Sequence, residues 1–203
     1  MASPTSNMPW SEIACEHART LIAQCDKMSR IFGDALEGVR GPTIPDFGSV
    51  QWRYEFCIFI MFWLWYVANS PKFARDGATK PLLDTFHQEC YEVFRRAKLI
   101  DDSEDALRRW EDDVYARFFA YKKVWDDHRA GIHDHPQLES LKIIRDTLGW
   151  HLLHYLFPSQ QPDPRVVILV NEFGSYQFTG LVKMFTNLEK HYARPKPRWK
   201  FWS

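Results

Sequence analysis

The sequence predicts an all-α protein: a single-domain bundle of about six helices around a central apolar helix near residues 49–69. Three observations carry this. Apolar residues recur at steps of three and four through most of the chain, the period of a helix face. Glycine and proline fall in a few clusters that cut the chain into six segments. One segment, Phe56–Ala68, is apolar on every side, as suits a rod enclosed by others. With 203 residues the chain is long enough to bury roughly 70% of its extended surface without disulfide or metal staples. It divides into a short N-terminus (1–8) expected to be flexible, one helical domain (9–193) and a basic, aromatic tail (194–203).

The first helix is expected from Pro9 to about Glu37, with proline in its first turn. Its stripe is Ala18, Leu21, Cys25, Met28, Phe32, Ala35 and Val39, with Glu16–Arg19 and Asp26–Arg30 as outward pairs. Gly38, Gly41, Pro42 and Pro45 end it. The second helix runs from Ser49 to Asn69, where the approach to Pro71 forces the chain out of helical space. The third runs from Thr79 to about Leu99 on a stripe of Leu83, Phe86, Cys90, Val93, Phe94 and Ala97. The fourth begins among Asp102-Ser103-Glu104-Asp105, whose acids favour a helix N-terminus, and is expected to stop near Arg129 at Gly131. Leu107, Trp110, Val114, Phe118, Tyr121 and Trp125 form its inner face, and Glu104–Arg108, Asp105–Arg109 and Asp113–Arg117 its outward pairs.

A fifth helix is expected from about 134–136 to Phe157, with Leu141, Ile144, Leu148, Leu152 and Tyr155 inward. The sixth opens at Asp163-Pro164, a cap followed by proline at the first helical position. Val166–Val170 has strand composition, but the spacing of Val170, Phe173, Leu181, Met184 and Leu188 favours a helix to about Tyr192. Gly174, Ser175 and Gly180 mark a kink or a close helix crossing.

The 13 apolar residues of Phe56–Ala68 would cover about 20 Å as a helix, short of the roughly 30 Å of a bilayer core. Extending the run upstream takes in Glu55 and Arg53, so a buried central helix is the expectation rather than a span. Twenty-six bases balance 26 acids, which argues against nucleic-acid binding by the whole body. Residues 1–9 lack the basic and apolar regions of a signal peptide. Cys15, Cys25, Cys57 and Cys90 form no C-x-x-C pair and read as reduced thiols of a cytoplasmic protein.

No phosphate-binding glycine loop, dinucleotide fingerprint, nucleophile elbow or H-E-x-x-H is present, and no cofactor is expected. His151 and His154 stand one turn apart and would suit a metal or haem if both faced one point. Asp84-x-x-His87 with Glu55 and Glu172 would make a carboxylate–histidine site between helices, but a di-metal bundle wants Glu where Asp84 stands and its partner motif here reads His-x-x-His, so the departure from that pattern is large. Glu55 reads either as a carboxylate enclosed by rings or, more commonly, as a solvated residue near the start of its helix. The acids and imidazoles of Asp126-Asp127-His128 and His133-Asp134-His135 suit helix ends as well as ligands. Cys90 and His87 have the spacing of a nucleophile and base, but Cys90 falls mid-stripe, where a thiol is inert.

The tail is the most distinctive surface feature. Arg194, Lys196, Arg198 and Lys200 carry +4 with no acid among them, interleaved with Trp199, Phe201 and Trp202, while the remaining chain has 22 bases against 26 acids. This composition suits docking on an acidic protein, an anionic membrane or the chain's own acidic body. The leading functional expectation is a small soluble interaction or regulatory protein with a protein partner, contacted through Arg194, Lys196, Arg198, Trp199, Lys200 and Trp202. Self-association through the first helix is a further option. The alternative is an enzyme or sensor holding a metal, haem or apolar ligand through His87, His151, His154 and Glu55, and a lipid-like ligand along the second helix is a third reading.

Overall fold

The computed structural model describes residues 10–74, 79–134 and 147–192, excluding the side chains of 128–134 and 191–192. Among them are six helices and no strand: α1 (Trp10–Ala35), α2 (Val50–Ala68), α3 (Thr79–Arg96), α4 (Glu104–Asp134), α5 (Leu148–Leu156) and α6 (Pro164–Tyr192). The all-α bundle read from the sequence is therefore the fold, and no described helix is long and apolar enough to cross a membrane.

The ends follow local chemistry. Ser49 caps α2, its hydroxyl accepting the Trp52 N–H at 3.2 Å, and Asn69 closes the helix. Asp163 accepts the Arg165 N–H at 2.9 Å and starts α6 at Pro164. Beyond α3, Lys98 takes a left-handed backbone (φ 55°), which lets the Leu99 N–H reach back to the Phe94 carbonyl at 2.9 Å.

α2 is the hub. It packs against α1, α3, α4, α5 and α6, and Glu55–Leu64 are buried without interruption. Its rings stack along the helix (Trp52–Phe56, 4.8 Å) and interlock with neighbours: Phe59 with Tyr121 of α4 at 5.5 Å, Phe56 with Phe173 of α6 at 5.3 Å. Each fully buried ring contributes roughly 2–3 kcal/mol relative to exposure, so the enclosure of α2 dominates the stability.

Several expectations are corrected. In α1 Ser29 is buried and Ala35 exposed, and Leu36, just past the helix end, is buried in its stead, a shift of one position. A serine is tolerated inside because its hydroxyl takes the Trp52 indole N–H at 2.7 Å. Leu107 is exposed on α4, and Ala106 takes its place inside. α4 runs through Gly131 to Asp134, since one helical glycine costs only about 1 kcal/mol. The fifth helix is not continuous up to Phe157, and residues 135–146 lie outside the described residues. Thr147 is extended (φ −96°, ψ 160°), and α5 begins after it. Leu141 and Ile144 lie outside the described residues. The valine-rich start of α6 is helical, and the helix is unbroken through Gly174 and Gly180. Gly174 marks a close crossing: a Cβ there would stand 2.8 Å from Cζ2 of Trp63.

Candidate functional site

Two polar constellations stand out, one inside the bundle and one on its surface. The inner one joins α2, α4 and α5. Glu55 is 5% exposed, and Arg117 grips it with both ends of its fork, Nη2–Oε1 at 2.8 Å and Nε–Oε2 at 3.2 Å. The same guanidinium donates to Asp113 at 2.8 Å and lies over the Tyr155 ring at 4.3 Å, while the Tyr54 hydroxyl donates to Asp113 at 2.9 Å. Burial opposes the Arg117 charge, but Glu55 and Asp113 outweigh it and hold the proton more firmly than in water. Burial, reinforced by Asp113, pushes the Tyr54 phenol far above its ordinary range. Every charge here already has a partner, so the cluster holds helices in register and offers no free acid, base or metal ligand. The solvated reading of Glu55 is thus overturned, and Arg117 is partly buried and turned toward Glu55, though its pairing with Asp113 is as expected.

The outer constellation is a groove of about 780 Å³ between α3 and α4, reaching the end of α2 at Trp65 and Asn69. These two helices meet through rings rather than close backbone approach. His87 packs on Trp110 at 4.3 Å and stacks on Tyr115 at 5.9 Å, and its Nε2 has no hydrogen-bond partner among the described residues. Burial holds this imidazole below its usual range against the pull of Asp84, so it is neutral at pH 7. Tyr91, Tyr115 and Phe118 supply apolar walls, and Tyr115 is 53% exposed. Asp84 and Glu92 share the α3 wall with Lys80, Glu111 lines the α4 wall, and neither Asp84 nor Glu111 forms an ion pair among the described residues. Phe119 stands nearby on α4 at 68% exposure.

The residues expected to share a ligand occupy three separate settings. Glu55 belongs to the Arg117 cluster and His87 to the groove. On α5, His154 stacks on Trp150 at 4.9 Å and His151 meets the same ring edge-on at 5.1 Å. Glu172 is exposed on α6. Among the described residues, no three His, Cys, Asp or Glu side chains converge to hold a metal. Asp126 takes hydrogen bonds from Tyr66 and Lys122, and Asp127 from Lys123, while the side chains of His128 and His133–His135 lie outside the description. The four cysteines are free thiols, and burial raises Cys90 well above its usual range, which silences it as a nucleophile. Arg194, Lys196, Arg198, Trp199, Lys200 and Trp202 lie outside the described residues.

Sequence reasoning singles out Asp84 and His87 but misses Glu111 and Tyr115. The available signal is their i,i+4 spacing on the flank of the Trp110–Val114–Phe118 stripe, beside an inward position. No family model matches the chain, and neither a curated protein nor a solved structure matches it.

Proposed function

We propose that the protein is a small helical interaction and regulatory protein, and that the α3–α4 groove is its docking surface for a cationic, ring-bearing segment of a protein partner. One observation carries this reading: rings and the uncommitted carboxylates of Asp84 and Glu111 share the groove, whereas Glu55, Arg117 and Asp113 are spent on one another. Tyr and Phe walls favour flat apolar groups and guanidinium planes, and Asp84 and Glu111 select positive charge at the rim. A cytoplasmic setting agrees with four unpaired thiols.

The test is a fluorescence titration of the full chain with a short peptide of mixed arginine and tryptophan. Saturable binding is expected, weakened at least tenfold in the Asp84→Lys/Glu111→Lys variant, with thermal melting unchanged. Equal affinity in the wild type and the variant, or binding of an Asp/Trp peptide just as tightly, would remove the groove from consideration.

A further inference from the structure

The groove has a candidate occupant within its own chain. From the position of its mouth and the charge on its rim, we infer that residues 194–203 dock in the α3–α4 groove and occlude it until a partner segment displaces them. This rests on the groove being a cation-and-ring site, as proposed above.

Three features support it. The first is charge. Asp84, Glu92 and Glu111 outnumber Lys80 in the lining, and Arg194, Lys196, Arg198 and Lys200 face them with no acid of their own. The second is chemistry. Trp199, Phe201 and Trp202 match walls made by Trp65, Tyr91, Tyr115 and Phe118.

The third is position. Near the end of α6, Thr186 accepts a hydrogen bond from Lys72 at 2.9 Å, and Phe185 packs on Phe73 at 5.1 Å. Lys72 is three residues beyond Asn69, which lines the groove beside Thr79 and Lys80. The chain therefore leaves α6 at the end of the molecule where the groove opens. The helix runs about 9 Å past Thr186 to Tyr192. The seven residues from there to Trp199 span up to about 23 Å, enough to return past Lys72 to the mouth. The four residues after Trp199 add about 13 Å, against a groove length of about 18 Å from Lys80 to Glu92 along α3. A tether this short gives a local concentration on the order of millimolar, so even a weak site would be mostly filled.

The experiment uses two full-length proteins, the wild type and a variant carrying Arg198→Glu, Trp199→Ala, Lys200→Glu and Trp202→Ala. Each is titrated with a labelled synthetic peptide of residues 194–203. Removal of the internal competitor should make the variant bind the peptide at least tenfold more tightly than the wild type. A photo-crosslinking residue at position 115 of the full chain should attach to 194–203 within the same molecule, and one at the exposed Tyr176 should not. Equal, measurable peptide affinity in both proteins would overturn the internal docking while leaving the groove as a site for such segments. No binding to either protein would bring down both. Crosslinks from position 115 only between differently isotope-labelled chains would assign the groove to a second copy and overturn the inference.

Discussion

Loss of the Arg117 side chain would strand the Glu55 carboxylate in a pocket closed by rings, with no other cation around it among the described residues, only the neutral phenols of Tyr54, Tyr121 and Tyr155. An uncompensated buried charge is far costlier than the pair is helpful, because both ions surrendered their hydration to meet. Arg117→Met should therefore lower the unfolding free energy by about 3–5 kcal/mol, read from urea denaturation. The Glu55→Met/Arg117→Met double variant should recover most of that loss, since apolar groups of similar volume need no hydration repaid. A single variant within about 1 kcal/mol of wild type would show that water reaches Glu55 and that the pair is not a closed unit.

Between elements, closeness is set by missing side chains. α6 crosses α2 at Gly174, under Trp63 and Phe59, and α5 approaches α6 at Gly149, whose N–H donates to Asn171 at 2.8 Å. Gly174→Ala should cost about 1–3 kcal/mol, because the added methyl meets a rigid indole at 2.8 Å in a core with no slack. Gly180→Ala, on the same helix with nothing within 4 Å of the new Cβ, should be neutral or stabilise by up to about 1 kcal/mol through helix propensity. Thermal melting of the two variants reads the contrast, and matching losses would contradict the crossing geometry. The sequence marks a kink or a close crossing around Gly174, Ser175 and Gly180, but spacing alone does not say which of the two it is or that Gly174 bears it.

For the whole molecule, two partly buried imidazoles set a pH response. His17 lies between α1 and α6 against the Met184 sulfur at 3.2 Å, and His87 lies between α3 and α4. Burial lowers both below the ordinary histidine range, with Glu16 and Asp84 pulling weakly the other way. The unfolded chain takes up protons at these positions as pH falls through about 6.5, and the folded chain resists them. Stability is thus full above that pH, declines as pH drops through it, and levels off below the folded-state values. The urea midpoint should fall from pH 7.5 to pH 5.5, and the fall should be smaller in the His17→Gln/His87→Gln variant. An equal fall in both proteins would place the proton uptake elsewhere.

Helix existence, most helix ends and the central place of α2 are legible in the sequence, because they rest on short-range causes. Ser49, Asp163 and the approach to Pro71 act within a turn of themselves, and the all-round apolar run of α2 admits few surroundings but other helices. What the sequence leaves open are residues poised between inside and outside, and there the deciding partner lies far along the chain. Ser29 is interior because of Trp52, 23 residues on, and Glu55 is interior because of Arg117, 62 residues on. By itself the sequence determined an all-helical chain around a ring-rich central rod. Only the tertiary structure decided which boundary side chains were enclosed, and that Asp84, His87, Glu111 and Tyr115 share one groove, because burial of a polar group depends on a partner that only packing brings within reach.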